Sequence, residues 1–376
     1  MIKRDSKQIL FITTEFPPGP GGIGTHAWNL ARYINRKIPL DLITKSDYSH
    51  KEECDKFDAL EKINIIRFRR YKFFIRTFFH RFFIVLKHIK NNNYTHYILS
   101  GFFSLTFAYV IKLLDAKTTT VCILHGSELR QANFILDFIL KSSLRKVDII
   151  ISVSNYTDQL IPIYLQNNQK KVVIPNGVDE NLVKIRSSPK NSIMPGNPFL
   201  LTLGSISSRK GQANLIKALP QIISEYPSVH YHCVGLPTEK KKLLLLAKEL
   251  GVSNYVTVHG FIKQERLIDF FNQADVLVML SQNNIAFSVE GFGIAILEAN
   301  LFGVPALGSK GTGIEEAIVQ NKTGILVNPF SSTDIINGLN SILEKYAQYS
   351  KEAYKWSLEH SWFKIADNYL KVILDE

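Results

Sequence analysis

The sequence is poor in cysteine, and its three cysteines, Cys54, Cys122 and Cys233, are far apart. None has a neighbour at the spacing of a zinc site, and three distant thiols do not form a disulfide framework. The chain also lacks an uncharged apolar run long enough to span a bilayer, and its first residues lack the apolar core of a signal peptide. These absences predict a cytoplasmic protein.

Acidic residues are absent from one long stretch of the chain. No Asp or Glu occurs between Lys62 and Leu114, whereas ten Lys or Arg occur there, and the net charge of the chain is +12. A basic balance suits nucleic acid, an anionic membrane or a phosphorylated substrate. Because no nucleic-acid recognition motif accompanies the basic residues, nucleic acid is not an expected partner.

Within this stretch, residues 69–90 form an amphipathic pattern if they are helical. At about 100° per residue, the basic side chains fall within an arc of roughly 180°, and phenylalanines fill the other side. Such a helix either lies on an anionic membrane or packs its phenylalanines into a domain core. The lack of acids favours the membrane, on the inner face of the plasma membrane, with contacts from Lys72, Arg76, Phe78, Arg81, Phe82 and Lys87.

The 376 residues, with 45% hydrophobic and 21% charged side chains, are typical of a globular protein of two domains. Short β-rich runs alternate with helix-sized segments in both halves, which predicts parallel sheets covered on both faces. A Pro/Gly-rich break at residues 193–198 separates the halves. We therefore predict an N-terminal α/β domain at 1–192, a C-terminal α/β domain at 193–355, and a C-terminal helix at 356–376.

Two features of the first half follow predicted strands. The run Gln8–Thr13 leads into a Pro/Gly-rich loop and then a helical pattern from His26, which is the start of a dinucleotide-type α/β unit. The loop matches neither the Gly-x-Gly-x-x-Gly fingerprint nor a Walker loop. His125 follows the run Thr120–Leu124, at the strand end where open α/β sheets place ligands, although a lone His is more often structural.

The second half contains two carboxylates, Glu290 and Glu298, with seven residues between them. Gly291 and Gly293 lie where a loop is expected to become a helix, so that backbone amides can approach an anionic ligand. Glu290 precedes this helix and Glu298 is roughly two turns into it. Carboxylates can bind the hydroxyls of a sugar, and the start of a helix can bind a phosphate. Together they indicate a nucleotide-sugar site. The alternative is a solvated Glu pair beside an ordinary turn.

A basic pair, Arg209 and Lys210, follows the predicted strand Phe199–Gly204 and precedes a predicted helix. Two cations at the start of a helix are suited to neutralising a pyrophosphate. The alternative is a basic pair on an exposed loop that binds nothing.

Taken together, four motifs resemble those of family 4 glycosyltransferases in order and spacing. They are Gly-Gly-Ile-Gly-Thr-His26, Pro-Asn-Gly-Val-Asp179, Arg-Lys-Gly211 and Glu-Gly-Phe-Gly-Ile-Ala-Ile-Leu-Glu298. The resemblance implies the GT-B fold: two Rossmann-like α/β domains facing a central cleft, with a final helix crossing back to the first. It also implies a retaining transfer from a nucleoside-diphosphate sugar without metal or other cofactor. The sequence accordingly has no Asp-x-Asp pair.

The resemblance also implies roles for individual residues. It makes His125, Glu290 and Lys210 catalytic and places Gly21, Gly24 and His26 on the acceptor side. One position departs from the family, because Ser205 stands where members commonly carry Arg, so that diphosphate neutralisation falls to Lys210 and Arg209. The implied donor-binding residues are Gly22, Arg209, Lys210, Gly291, Phe292, Gly293, Ile294 and Glu298.

Combined with the basic Phe-rich segment, the resemblance predicts a membrane-associated glycolipid or surface-polysaccharide precursor as the lipid-linked or saccharide acceptor. A second interpretation is an inactive GT-B scaffold that serves as a peripheral membrane or carbohydrate-binding protein. A third, a nucleotide-sugar epimerase or dehydrogenase, is disfavoured because the first glycine loop lacks the dinucleotide fingerprint.

Overall fold

The computed structural model describes residues 7–46, 51–69, 71–129, 134–162, 165, 169–184, 194–282 and 290–375. The chain divides into two compact units. The first unit is Met1–Asn176 with Trp362–Glu376, and the second is Gly177–Ser361. The second unit therefore begins within the Pro-Asn-Gly-Val-Asp179 motif. The boundary expected between residues 192 and 193 lies outside the described residues.

The sheet of the first unit consists, within the described residues, of β1 (Ile9–Thr13), β2 (Leu40–Lys45), β3 (Asn64–Phe68), β4 (His96–Ser100), β5 (Thr119–Leu124), β6 (Ile149–Ser152) and β7 (Lys170–Val173). All pairings are parallel, in the order β3-β2-β1-β4-β5-β6-β7. Strands β1 and β4 are buried along their whole length, as expected of a parallel sheet covered on both faces. The order reverses between them, and such switch points are where α/β sheets bind ligands.

The helices of the first unit connect these strands. Their apolar sides pack on the sheet, and the core combines Leu10, Leu99 and Cys122 from strands with Val85 and Ile111 from helices. The described α-helices between Met1 and Asn176 are α1 (Gly22–Asn35), α2 (Lys51–Leu60), α3 (Phe74–Asn91), α4 (Phe102–Leu105), α5 (Phe107–Leu114), α6 (Phe134–Leu144) and α7 (Asn155–Gln159).

The second unit repeats this arrangement with a smaller sheet. Its described strands are β8 (Phe199–Leu203), β9 (His230–Val234), β10 (Val256–Gly260), β11 (Val276–Met279), β12 (Ala306–Ser309) and β13 (Gly324–Val327), all parallel in the order β10-β9-β8-β11-β12-β13. Its order again reverses once, between β8 and β11, which is the Rossmann arrangement. Its described helices are α8 (Gln212–Glu225), α9 (Lys240–Glu249), α10 (Gln264–Phe271), α11 (Ile294–Asn300), α12 (Ser332–Glu344) and α13 (Tyr346–Glu359).

The end of the chain is two helices, where the sequence predicted one helical stretch. Helix α13 ends at Glu359, and α14 (Trp362–Leu374) starts after His360 and Ser361. Helix α14 belongs to the first unit, so the returning segment begins at Trp362 and not at 356. It packs on α1, where the buried His26 Nε2 and the Tyr369 hydroxyl are 3.0 Å apart.

None of the helices in the described parts of the chain has both the length and the apolar character needed to cross a membrane.

Candidate functional site

The basic pair of the second unit is presented by a short turn between β8 and α8. A 3₁₀ turn spans Ser208–Lys210, and Gly211 then adopts a left-handed conformation with φ of 74°. A Cβ atom at Gly211 would overlap the Leu280 carbonyl, so only glycine lets this turn approach the end of β11 so closely. The predicted strand–loop–helix context of Arg209 and Lys210 is therefore confirmed.

Hydrogen bonds hold this turn in place. The Ser208 hydroxyl donates to Glu239 Oε2 at 2.6 Å, and Gln282 N–H donates to the Arg209 carbonyl at 2.9 Å. Gln212 Nε2 donates to the Ser205 carbonyl at 3.0 Å. These hydrogen bonds fix the backbone of the turn that carries Arg209 and Lys210.

Both cations converge on one carboxylate oxygen. Lys210 Nζ is 2.7 Å from Glu290 Oε2, and Arg209 Nη1 donates to the same oxygen. The Lys210 side chain runs across Gly204, where a Cβ atom would lie 3.2 Å from Lys210 Cε. Burial acts to raise the pKa of Glu290, but the Lys210 ammonium and the Arg209 guanidinium outweigh it and hold that pKa below its ordinary value. Glu290 is therefore ionised at neutral pH.

The loop that carries Glu290 packs against a second glycine loop. Gly313 N–H donates to the Glu290 carbonyl at 3.0 Å, and a Cβ atom at Gly313 would overlap the Gly291 carbonyl. Gly293 caps α11 with φ of 94° and no side-chain hydrogen bond, so Gly291 and Gly293 lie at the predicted transition from loop to helix. The Phe292 ring is buried, which leaves only its backbone for a ligand.

Glu298 lies within α11 and differs from Glu290 in its surroundings. Its carboxylate makes no hydrogen bond or ion pair with the part of the chain that the structure describes. Burial without a compensating cation raises the pKa of Glu298 to about 7. A carboxyl group in this state has hydrogen-bonding capacity left for ligand hydroxyls.

In the first unit, the glycines of the loop before α1 differ in their accessibility. Gly21 and Gly22 are exposed, whereas Gly24 is buried and a Cβ atom there would lie 3.1 Å from the Phe16 amide nitrogen. Gly24 therefore serves the close packing of α1 on its own loop. The prediction that Gly24 contacts the acceptor was therefore wrong, and its role is structural. The acceptor-side role of Gly21 and the donor-binding role of Gly22 remain predictions.

His26 is a core residue. Its side chain is fully buried, its ring lies edge-on to those of Trp362 and His125, and Nε2 is bonded to Tyr369. Burial and the neighbouring His125 hold the pKa of His26 well below its ordinary value, so the ring is neutral. The assignment of His26 to the acceptor side was wrong as a direct contact, because the ring cannot reach a ligand without unpacking α14.

His125 follows β5 directly, at the carboxyl end of the sheet, as the sequence predicted. Its Nε2 is 3.0 Å from the Ser100 hydroxyl at the end of β4, and burial lowers the pKa of His125 to about 3. The His125 amide donates to Glu128 Oε2 at 3.1 Å, and burial raises the pKa of Glu128 to about 7. Ser100 and Glu128 were not predicted, although Ser100 ends β4 and Glu128 lies in the turn that follows β5.

The predicted membrane contacts, of which all but Lys72 lie on α3, are only partly exposed. Lys72, Arg76 and Lys87 are exposed, and so is Phe78. Arg81, however, is only 7% exposed and its guanidinium lies 3.4 Å from the Phe103 ring centroid. Arg81 is therefore a core residue, and its assignment to a membrane face was wrong. Phe82 is partly buried and stacks on Phe107.

Comparisons with known proteins cover nearly the whole chain. Residues 20–182 match the family model "Glycosyltransferase Family 4", and residues 183–356 match "Glycosyl transferases group 1". Among solved structures, a sucrose-phosphate synthase from Thermosynechococcus elongatus has a TM-score of 0.77 at 18% identity, covering 98% of both chains. HepE from Anabaena, solved with UDP and glucose, has a TM-score of 0.76 at 19% identity and covers 98% of this chain and 100% of that one.

Curated relatives are similar over shorter or more divergent stretches. A GDP-mannose-dependent alpha-(1-6)-phosphatidylinositol monomannoside mannosyltransferase from Mycobacterium tuberculosis is 29% identical over 217 residues, covering 54% of this chain and 56% of that protein. The chain thus spans little more than half the length of this mycobacterial relative. A mannosyltransferase acting on the monoacylated form of that glycolipid, from Corynebacterium glutamicum, is 25% identical and covers 86% of this chain and 85% of that protein.

Proposed function

We propose, since this chain belongs to glycosyltransferase family 4 and has the two-domain GT-B fold, that it is an enzyme transferring a sugar from a nucleoside-diphosphate sugar to an acceptor. The observation that carries this proposal is the convergence of Arg209 and Lys210 on Glu290, beside the amides at the start of α11. Two fixed cations suit a diphosphate, and the Glu298 carboxyl suits ribose hydroxyls. The donor site then lies at the carboxyl ends of β8 and β11.

The chemistry follows from where charge develops. When the bond between the anomeric carbon and the phosphate oxygen breaks, the electron pair stays on the diphosphate and the sugar becomes cationic. Lys210 and Arg209 stabilise the leaving group electrostatically, which is usually the largest catalytic contribution. We propose that the acceptor hydroxyl attacks from the face that the diphosphate leaves and passes its proton to a phosphate oxygen, so that the anomeric configuration is retained. In this scheme Glu290 binds sugar hydroxyls and is not the nucleophile.

We propose that no metal ion takes part, because the two cationic side chains supply the charge that a divalent cation would otherwise bring to the diphosphate. The test is transfer activity after treatment with EDTA. Unchanged activity supports the proposal, and activity that is lost with EDTA and restored by Mg²⁺ or Mn²⁺ contradicts it.

For the acceptor, we propose a membrane-associated glycolipid or surface-polysaccharide precursor. The curated relatives named above act on phosphatidylinositol mannosides, which are glycolipids. The first unit exposes large apolar side chains on two helices, with Phe79 52% and Phe83 61% exposed on α3, and Phe134 82% and Phe138 61% exposed on α6. Exposed aromatic residues beside lysines and arginines are typical of a protein that rests on an anionic membrane.

The donor proposal is tested by thermal stabilisation with UDP, GDP, ADP and the corresponding hexose derivatives. A ligand that binds only the folded protein raises the melting temperature. We expect a rise with one base, its loss in Glu298→Ala, and its retention in Glu265→Ala, which removes an exposed carboxylate from α10 of the same unit. No rise with any nucleotide would contradict the proposal and would favour an inactive scaffold.

The membrane proposal is tested by cosedimentation with vesicles of phosphatidylglycerol and phosphatidylcholine. The double variant Arg76→Glu with Lys87→Glu reverses two exposed charges on α3 and should abolish binding. Lys217→Glu, an exposed position on α8 of the second unit, is the control and should bind as the wild type does. Equal binding by all three proteins would contradict membrane contact through α3 without affecting the donor proposal.

A further inference from the structure

The two cations of the candidate donor site, Arg209 and Lys210, are paired with a carboxylate of the protein itself, that of Glu290. The two cations meet at a single oxygen, Glu290 Oε2, and the three side chains are only 23%, 13% and 12% exposed for Arg209, Lys210 and Glu290. Partly buried cations without a counter-ion are unfavourable. The Glu290 carboxylate therefore occupies a position in which these cations could hold a phosphate oxygen.

The backbone around this cluster does not need to move for the carboxylate to leave. The Glu290 carbonyl is tied to the Gly313 amide, and the turn carrying the cations is tied to Glu239 and Gln282. Only side-chain rotation of Glu290 separates it from Arg209 and Lys210. The cluster can thus exchange one anion for another while its framework stays fixed.

We propose, building on the transferase function above, that Glu290 competes with the diphosphate for Arg209 and Lys210 and thereby promotes release of the nucleoside diphosphate product. While a nucleotide sugar is bound, Glu290 accepts hydrogen bonds from sugar hydroxyls, and the diphosphate is paired with Arg209 and Lys210. After transfer, the sugar has left with the acceptor, and Glu290 has no hydroxyl partner. The carboxylate then returns to the cations and displaces the product.

The negative charge of the nucleoside diphosphate product is the reason why a competing carboxylate would speed its release. The terminal phosphate of the free product has lost its sugar ester and gains a second ionisation with a pKa of about 6, as in phosphate monoesters. The product therefore carries more negative charge than the donor and is held more strongly by two fixed cations. Without an internal anion, the product would leave slowly and would inhibit the next turnover.

The experiment measures dissociation constants of UDP, GDP and ADP by calorimetry for wild type, Glu290→Gln and the control Glu265→Gln. We expect Glu290→Gln to bind one of these diphosphates about tenfold more tightly than wild type, equivalent to about 1.4 kcal/mol. Glu265→Gln should match the wild type, because it removes an equal charge from an exposed position on α10. Unchanged or weaker binding by Glu290→Gln would overturn the competition.

A double variant covers the case in which Glu290→Gln folds poorly because two cations lose their counter-ion. Arg209→Gln with Glu290→Gln removes one charge of each sign, and its affinity for the diphosphate should return to within about threefold of wild type. Binding by the double variant as tight as that of Glu290→Gln would show that Glu290 does not compete for Arg209 and would overturn the competition for both cations. If neither the wild type nor any variant binds a nucleotide, the transferase proposal itself fails.

Discussion

Three histidines of the second unit should make its stability fall sharply in mild acid. His232 is fully buried, its Nε2 lies 2.8 Å from the Pro195 carbonyl, and its Nδ1 lies 2.9 Å from His259 Nε2. Because a carbonyl only accepts, His232 Nε2 carries the proton and Nδ1 accepts from His259. Burial lowers the pKa of His232 to about 4, and burial also lowers the pKa values of His230 and His259.

The direction of the effect follows from these pKa values. The unfolded chain binds a proton near its ordinary histidine pKa of about 6.5, whereas folded His232 binds one only near pH 4. The contribution of neutral His232 to the free energy of unfolding is therefore fully present above about pH 6.5. It is lost as the pH decreases toward 4. A shift of this size is worth about 3 kcal/mol for His232 alone. Together with burial, the neighbouring His259, which faces His232 Nδ1, contributes to this lowered pKa.

Replacement of His232 by Leu separates this titration from simple loss of contacts. At pH 7.5 the variant should be less stable by about 1–3 kcal/mol, because the Pro195 carbonyl and the His259 N–H lose their partner. At pH 5 the difference from wild type should shrink by at least about 1 kcal/mol, since the variant has one histidine fewer to protonate.

The assay is hydrogen exchange of the amides in β9 and β10, corrected for the intrinsic pH dependence, because it reports on this unit alone. His80→Gln, in the first unit, is the control and should follow the wild type at every pH. A constant difference between His232→Leu and wild type from pH 7.5 to 5 would refute the reasoning.

Three further predictions concern single positions. Arg81→Glu should destabilise the first unit by about 3 kcal/mol or more, whereas exposed Arg76→Glu should change stability by less than about 0.5 kcal/mol, as judged by melting temperature; equal effects would contradict the burial of Arg81. Gly211→Ala should lower the free energy of unfolding clearly more than Gly251→Ala. Both glycines have positive φ, but only at Gly211 does a carbonyl occupy the place of a Cβ atom. Equal losses of free energy in urea unfolding would contradict the close approach to Leu280. If the ionised Glu298 carboxylate binds ribose, affinity for the nucleoside diphosphate should fall as pH decreases through about 7, and Glu298→Gln should flatten that dependence; an unchanged pH profile in calorimetry would exclude this role.

Much of the fold was accessible from the sequence because buried parallel strands are continuous apolar runs. Strands β1 and β8 are of this kind, and the runs Gln8–Thr13 and Phe199–Gly204 predicted them. Strand β3 was not, since it lies at the edge of the sheet and mixes Asn64 and Arg67 with apolar residues. Arg67 is held there by Asp58 of α2 at 2.7 Å, a contact that no periodicity reveals.

The residue patterns predicted the parts of the candidate site, and the family resemblance combined them into one donor site. Position after a strand and before a helix was enough to single out Lys210 and Glu290. Their contact was not predicted, because it joins loops at the ends of β8 and β11 that only the sheet order brings together. The errors at His26 and Arg81 have different origins. The family resemblance placed His26 on the acceptor side, and helical periodicity placed Arg81 on a basic face. Neither shows that aromatic neighbours such as Tyr369 or Phe103 accept these residues in the core.

The most direct test of the transferase proposal is sugar transfer from a labelled nucleotide sugar to a bacterial glycolipid extract, measured for wild type, Lys210→Ala and Lys217→Ala. Lys217 is an exposed lysine on α8, so its variant controls for the loss of a positive charge in the same unit. We expect transfer by the wild type and Lys217→Ala, and a rate about 100-fold lower for Lys210→Ala, which corresponds to about 2.7 kcal/mol of transition-state stabilisation. Full activity in a correctly folded Lys210→Ala, or no transfer by the wild type from any donor, would contradict the assignment.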